Sequence, residues 1–233
     1  MKRMKLLAID TSGPVCGVAV AEDTRILSEM TVLNKRTHSA NLMPMIETVL
    51  QNAGTTLAGI DKIAAVTGPG SFTGIRIGIS TVKGLAHGAN KPCVAVDALE
   101  ALAVGVGAFD GVVCPIQDAR AGQVYGAAFR DGERKMADAA IRLEDYVDAI
   151  KAYGDRFLFA GDGMEVHRER LKELLGENAL FAPAHLSFLR PSAVALLAMK
   201  SETELDYLAL MPYYLRPPNA EKNKKLMEAM AHE

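Results

Sequence analysis

The hydrophobic pattern at the start of the chain predicts three consecutive β-strands. The apolar run over 4–9 ends at Asp10, a second apolar run covers 15–21, and residues 25–33 alternate in character. Short apolar runs bounded by turn residues are typical of buried strands. Since no helical pattern separates the three runs, they indicate an antiparallel meander.

The rest of the chain alternates between helical and strand-like patterns in two successive halves. Helices are predicted over 39–52, 72–87, 99–106, 143–152, 165–175 and 191–199. Strands are predicted over 63–67, 94–96, 112–116, 124–130, 157–160 and 212–218. The order of strands, helix, strand, glycine-rich turn and helix recurs, which favours an α/β protein of two related lobes. We assign the first lobe to residues 1–106, the second to 107–218, and a charged tail to 219–233.

Composition and charge narrow the functional classes. Hydrophobic residues make up 49% of the 233 residues, and the formal net charge of -2 argues against a free-standing nucleic-acid-binding protein. The cysteines, Cys16, Cys93 and Cys114, lack the spacing of a zinc site or a disulfide framework, so we expect buried thiols. No apolar run reaches the roughly 18 residues that span a membrane, and no signal peptide opens the chain. We therefore expect a cytoplasmic protein with no membrane partner.

The strongest local motif is the glycine-rich run from Gly68 to Gly78. It follows a predicted strand and opens a predicted helix, where free backbone amides bind anions. The run lacks the Gly-Lys-Ser/Thr ending of a Walker A loop, and its third glycine comes one residue late for a dinucleotide fingerprint. The glycines alone therefore indicate phosphate binding only weakly.

Residues at the end of the first strand add to a nucleotide hypothesis. An acid and two hydroxyls follow one another there, and they have the chemistry to reach a phosphate or its Mg²⁺. A turn whose side chains bond their own backbone is the alternative. The candidate nucleotide-binding residues are Asp10, Thr11, Ser12, Gly68, Gly70 and Ser71.

The helix after the glycine-rich turn carries small residues along one side, at Gly74, Gly78, Thr81, Gly84 and Gly88. Glycine within a helix costs roughly 1 kcal/mol relative to alanine, so another interaction must offset it. Small side chains at this spacing let a second helix approach closely. The approach is either packing inside the domain or a helix–helix contact with another subunit.

The sequence shows no convincing catalytic or metal-binding arrangement. The histidines do not pair at helical spacing, and no Gly-x-Ser-x-Gly elbow occurs. Asp118 and Arg120 after one strand form an ion pair, flank a cleft or lie in a solvated turn. The Gly-Asp-Gly run at 161–163 after another strand either approaches a ligand through its backbone or is a plain loop. We predict neither catalytic residues nor a metal site.

Four segments resemble the TsaB (YeaZ) family. They are GPGSFTGIRIG, IDTS at the end of the first strand, DARAGQVYGAAF and MPYYLRPPNA, and together they extend from Ile9 to Ala220. The glycine run is specific to this family and to its catalytic sister family, TsaD. The resemblance implies an actin/Hsp70/sugar-kinase-like (ASKHA) fold of two related lobes, each with a mixed sheet and flanking helices.

The resemblance also implies a function. The family works with TsaD and the ATPase TsaE to transfer threonylcarbamoyl to N6 of adenosine 37 in tRNA. A His-x-x-x-His pair holds the metal of TsaD, whereas Ala98 and Leu102 stand at the comparable positions here. The chain is therefore expected to be a non-catalytic partner that binds and activates TsaD. It is expected to need no cofactor by itself, with ATP a candidate ligand within the complex, and to meet tRNA only through the complex.

The expected partner surface lies on the helices over 39–52 and 72–87, which contact TsaD in this family and form a homodimer when TsaD is missing. The expected interface residues are Leu42, Met45, Phe72, Gly74, Ile75, Gly78, Thr81, Val82 and Leu85. Two alternatives stay open. One is an actin-fold ATPase or kinase for a small molecule, using Asp10, Thr11 and the glycine-rich turn. The other is a self-sufficient tRNA-binding protein, which the net charge disfavours. Glycoprotease activity is not expected.

Overall fold

The structure of the protein is a computed structural model that describes residues 3–34 and 37–216. Its strands are β1 (Lys5–Asp10), β2 (Cys16–Glu22), β3 (Arg25–Val32), β4 (Lys62–Gly68), β5 (Cys93–Asp97), β6 (Val112–Asp118), β7 (Gln123–Arg130), β8 (Glu133–Arg142), β9 (Phe157–Ala160) and β10 (Ala179–Phe181). Its α-helices are α1 (His38–Asn52), α2 (Phe72–Ala89), α3 (Ala98–Val106), α4 (Leu143–Ile150), α5 (Asp162–Leu175) and α6 (Pro191–Lys200). All six predicted helices are present, with small shifts at their ends. No helix in these ranges is long and apolar enough to cross a membrane.

The strands form two five-stranded sheets with equivalent topology. The first sheet has the order β3-β2-β1-β4-β5, and the second has the order β10-β9-β6-β7-β8. In each sheet an antiparallel meander of three strands continues into two parallel strands. The predicted meander over the first three strands is confirmed, and so is the recurrence of the pattern in the second half. The two mixed sheets with flanking helices confirm the predicted two-lobed ASKHA architecture.

Helices cover both faces of each sheet. Helices α1 and α2 pack on the outer face of the first sheet, and α4 and α5 pack on the outer face of the second. Helices α3 and α6 lie between the sheets, in a shared apolar core that joins residues of both lobes, from Leu6 in β1 to Phe129 in β7. Burial of apolar surface, the main favourable term in folding, therefore holds the two lobes together.

The first lobe is completed by α6 and the residues that follow it. Helix α6 packs against β1 and β2, and its first turn is held by Glu29 of β3, which accepts hydrogen bonds from Arg190 at 2.7 Å and from the Ser192 amide at 3.1 Å. After α6, residues 205–216 run along the first lobe, and we name them the C-terminal strap. The assignment of 107–218 to the second lobe stays a prediction, but α6 packs on the first sheet and Leu210 of the strap is buried in the first-lobe core.

The strap begins as an antiparallel bridge between Leu205 and Cys93 at the edge of β5. Leu210 is fully buried in the core of the first lobe. The strand predicted over 212–218 is wrong for 212–216, which form no strand because only the Tyr213 amide bonds to a neighbouring strand, at the Thr67 carbonyl. Pro217, Pro218 and the predicted tail over 219–233 lie outside the described residues.

Candidate functional site

A cleft of about 670 Å³ opens between the two lobes. It is lined by residues 12–14 after β1, 69–73 at the start of α2, 117–120 at the end of β6 and just beyond it, Asp162 at the start of α5, and 213–216 of the strap. Loops at the ends of strands from both sheets therefore converge on one space. Such a crevice is the ordinary place for a ligand in an α/β protein.

The glycine-rich turn packs directly on the end of β1. The Ser71 amide donates to the Ser12 carbonyl at 2.7 Å, and the Thr11 hydroxyl donates to the Gly74 carbonyl at 2.7 Å. A Cβ at Gly70 would overlap the Ser12 carbonyl, and one at Gly74 would overlap the Thr11 carbonyl. Glycine is required at these positions because two backbone segments of the same chain touch there.

Asp10 lies beneath the cleft and is fully buried. Its Oδ1 accepts hydrogen bonds from the amide and the hydroxyl of Ser12, at 2.8 and 2.7 Å. Its Oδ2 has no hydrogen-bond partner within the described part of the chain. Asp10 also lines a small cavity of about 10 Å³ together with Gln117 and Asp162. Burial raises the pKa of Asp10, against the opposing effect of the Ser12 hydrogen bonds.

The six candidate nucleotide-binding residues are thus brought together, but they do not share one exposed surface. Ser12, Gly70 and Ser71 line the cleft. Asp10 and Thr11 are buried below it, and a Cβ at Gly68 would overlap the carbonyl of Tyr213 in the strap. Much of the hydrogen-bonding capacity predicted for a phosphate is already used inside the chain.

The wall of the cleft that the second lobe forms carries acidic residues. The sequence left open whether Asp118 flanks a cleft or lies in a solvated turn. Asp118, Arg120 and Asp162 all line the cleft. Burial raises the pKa of Asp162 to about 6, and the charges of Asp118 and Asp10 also raise it, while backbone hydrogen bonds lower it. Asp118 Oδ1 accepts a hydrogen bond from the Arg120 amide at 2.9 Å and lies 3.7 Å from Nε2 of His167. This wall of the cleft therefore holds two acids, Asp118 and Asp162, with Arg120 and His167 beside them.

Further cleft residues were missed by sequence reasoning. His38 contacts the Gly13 carbonyl at 3.0 Å, and Arg216 donates to the Ala119 carbonyl at 3.2 Å across the lobes. Tyr125 and Tyr213 add aromatic surface. In the sequence, only the resemblance of the segment over 211–220 to the TsaB (YeaZ) family pointed to the strap residues. That resemblance indicates the family and does not predict where these residues lie in the structure.

Most of the predicted interface residues face inward. Leu42, Met45, Ile75 and Val82 are buried in the first-lobe core, because the apolar stripes of α1 and α2 are the faces that pack on the sheet. Gly74 and Gly78 are buried against the end of β1, where Cβ atoms would meet Thr11. Phe72, Thr81 and Leu85 remain partly exposed. The expected interface stays a prediction, and of its residues on α2 only Phe72, Thr81 and Leu85 are accessible in this structure.

The positions compared with the metal ligands of TsaD lie in the interlobe core. Ala98 and Leu102 are buried on α3 among apolar residues of both sheets. Within residues 3–34 and 37–216, no three His, Cys, Asp or Glu side chains converge as a metal site would require. Cys16, Cys93 and Cys114 are free and buried, as expected, and burial raises the pKa of each thiol.

The equivalent sheets, the two helices between them and the cleft define a protein of the actin/Hsp70/sugar-kinase-like class. The component A of (R)-2-hydroxyglutaryl-CoA dehydratase from Acidaminococcus fermentans superposes with a TM-score of 0.53 and 12% identity, covering 84% of this chain and 98% of that chain. At such low identity the likeness concerns the fold alone.

More similar proteins show which family of that class the chain belongs to. A family model described as "TsaD: tRNA N6-adenosine threonylcarbamoyltransferase" matches residues 25–224. The tRNA threonylcarbamoyladenosine biosynthesis protein TsaB of Bacillus subtilis is 34% identical over 222 residues, which cover 94% of this chain and 96% of the relative. The solved structure of YeaZ from Pseudomonas aeruginosa has a TM-score of 0.74 and 29% identity, covering 91% of this chain and all of that chain. The chain belongs to the TsaB (YeaZ) family.

Proposed function

We propose that this chain is a non-catalytic subunit that binds and activates TsaD in the transfer of threonylcarbamoyl to N6 of adenosine 37 of tRNA, together with TsaE. The observation that carries the proposal is the similarity, over nearly the whole chain, to a protein named for threonylcarbamoyladenosine biosynthesis. The matching family model bears the name of the transferase itself, which supports kinship between this chain and its partner. We place the complex in the cytoplasm.

The cleft supports a non-catalytic role. Catalysis of group transfer needs donors and acids free to meet the reacting groups. Here the Thr11 hydroxyl and the Ser71 amide are used within the chain, and the Asp10 carboxyl is fully buried. Ala98 and Leu102 offer no ligand atoms where the sister family holds its metal. The chain by itself then needs no cofactor, and ATP within the complex would act through its partners.

The exposed face of α2 is the surface we propose for TsaD, and for a homodimer when TsaD is absent. Arg76, Ser80 and Gly84 point away from the lobe, and a Cβ at Gly84 meets no atom within 4 Å. Near the start of the helix, Phe72 stacks on Tyr214 with ring centroids 4.8 Å apart, and the Arg76 guanidinium lies 3.8 Å from the Phe72 centroid. A glycine facing open space within a helix admits close approach of another helix.

The experiment is co-purification with TsaD, followed by tRNA modification reconstituted from TsaD, TsaE, ATP and threonylcarbamoyl-adenylate, with and without this chain. Gly84→Arg places a long charged side chain on the proposed surface without a clash inside the lobe. We expect it to lower both complex formation and modification at least about tenfold, the effect of about 1.4 kcal/mol of lost binding.

The matched control is Val166→Arg, at an exposed position of α5 on the other lobe, which should leave both readouts unchanged. Modification that proceeds equally well without the chain would overturn the proposed function. Modification that needs the chain but tolerates Gly84→Arg would overturn only the surface.

A further inference from the structure

A cluster of charged side chains joins the two lobes through one guanidinium. Arg134 lies on β8, the edge strand of the second sheet, and donates from one nitrogen to Asp138 on the same strand. Its other nitrogen donates to Asp97 Oδ1 at 3.1 Å and lies 3.5 Å from Glu100. Across the interface from β8, Asp97 is the last residue of β5 and Glu100 lies in the first turn of α3. One arginine therefore ties the lobes together at their edge.

The charges in this cluster do not balance. Three carboxylates surround the single guanidinium of Arg134. The Phe129 ring packs against this guanidinium, with 4.7 Å between the ring centroid and Arg134 Cζ. The side chain of Asp138 is only 7% exposed and that of Asp97 is 20% exposed. Two carboxylates held on one cation with little access to water do not both ionise without a large cost. Such a pair retains one proton until the pH is high enough to remove it.

Asp138 is the carboxyl of the cluster whose pKa is shifted. Burial first, then the hydrogen bond and charge of Asp97, together raise the pKa of Asp138 to about 7, although the charge of Arg134 opposes the shift. Other titratable groups that interact with the cluster are Glu100 and Tyr213 of the strap, and the pKa of Tyr213 is raised by burial and by the two aspartates. Tyr213 therefore stays neutral across the range where the pair titrates.

We propose that Asp97, Arg134 and Asp138 form a proton-operated latch between the lobes, closed while the aspartate pair holds one proton and loosened when both carboxylates are ionised. The proton is exchanged with water, and no other reactant takes part. In the loosened state the second negative charge repels Asp97 from Asp138, and each carboxylate gains solvation as the lobe edges separate. The proposal does not depend on the proposed function.

The latch adjoins the mouth of the cleft. Tyr213 lies in the cleft wall and its amide donates to the Thr67 carbonyl at 2.8 Å, while Arg216 bonds across to the second lobe. The aspartates that act on Tyr213 are those of the latch. Loosening the latch would therefore free the edge of the cleft that the strap covers.

The direction of the pH effect follows from the raised pKa of an acid in the closed state. The closed state is favoured as pH falls below about 7 and loses that advantage as pH rises. With an ordinary aspartate pKa of about 3.9 in the open state, the ratio of closed to open molecules should fall about tenfold between pH 6 and pH 8.

The test uses spin labels on cysteines introduced at Thr24, in the turn between β2 and β3, and at Glu169 of α5, which are exposed positions on opposite lobes. Distance distributions at pH 6 and pH 8 should shift towards longer separations at high pH in the parent chain, with about a tenfold fall in the closed-to-open ratio. Asp138→Asn removes the titrating group and should give distributions that do not change with pH. Asp131→Asn, at an exposed turn between β7 and β8, should behave as the parent.

Asp97→Asn is a second variant in case Asp138→Asn folds poorly, since asparagine retains the cap on α3 that Asp97 provides to the Glu100 amide. It should shift the midpoint of the distance change to lower pH by relieving the like charge. Distances that are independent of pH in the parent overturn the latch. So does a pH response that survives unchanged in both variants.

Discussion

At the scale of single residues, Gly74 and Gly84 have opposite surroundings on the same helix. A Cβ at Gly74 would overlap the Thr11 carbonyl, which is backbone and does not yield, whereas a Cβ at Gly84 would enter open space. The stripe of small residues noted in the sequence is therefore two features. Its first half permits α2 to touch the end of β1, and its second half lies at the surface.

Alanine substitutions separate these two roles. In dilute solution, Gly84→Ala should raise the free energy of unfolding by up to about 1 kcal/mol, because alanine favours the helix. Gly74→Ala should lower it by about 1 to 3 kcal/mol, because the new methyl group overpacks a backbone contact. Denaturant unfolding followed by circular dichroism measures both, and a Gly74→Ala protein as stable as Gly84→Ala would contradict the packing described here.

At the scale of secondary structure, the sequence predicted what depends on local pattern. The buried strands of the first sheet and all six helices followed from apolar runs and periodicity. β8 was missed because Glu133–Arg142 lies at an edge and carries charged residues without regular alternation. The interface on α1 and α2 was expected from the family resemblance, and it stays a prediction; the periodicity of these helices shows which face is apolar but not what covers it. The cleft residues His38 and Arg216 come from distant segments, so only the tertiary fold brings them together.

The junction between β3 and α6 is an element-scale contact that a substitution can test. Arg190 and Ser192 hydrogen-bond the Glu29 carboxylate, whose side chain is 17% exposed. Burial alone would raise its pKa, but these hydrogen bonds dominate and lower it. Glu29→Gln should therefore lower the free energy of unfolding by about 1 to 3 kcal/mol at pH 7, a typical cost for charge-assisted hydrogen bonds.

The pH dependence gives that prediction a second readout. A group with a lowered folded pKa stabilises the protein above its unfolded pKa and loses that contribution as pH falls through the folded pKa. The difference between the parent and Glu29→Gln should thus shrink in acid. Glu133→Gln, at an exposed pair with Lys135, is the control and should change little at any pH. A constant difference across acid pH would contradict the assigned role.

At the scale of the whole molecule, the strap packs along the first lobe after α6. Tyr207 packs beside His87 with ring centroids 4.6 Å apart, and Lys83 donates to the Leu208 carbonyl at 3.3 Å. These exposed contacts are weak individually. Leu210 is fully buried among first-lobe residues, and burial of this side chain stabilises the attachment of the strap to the lobe.

Two leucines in the strap provide a matched comparison. Leu210→Ala should lower the free energy of unfolding by about 2 to 5 kcal/mol, the range for removing a buried leucine side chain. Leu208→Ala, at a side chain 69% exposed, should change it by no more than about 0.5 kcal/mol. Thermal and denaturant unfolding of the two variants measure the difference, and equal effects would show that the strap does not anchor through Leu210.

The return of α6 to the first sheet has a consequence for how the protein is made. The strands of the first sheet are synthesised before α6, yet the inner face of that sheet, including Leu6, Ala8 and Ala19, packs against α6. A nascent chain that lacks α6 therefore exposes part of this apolar face, and exposed apolar surface makes such a chain prone to aggregate.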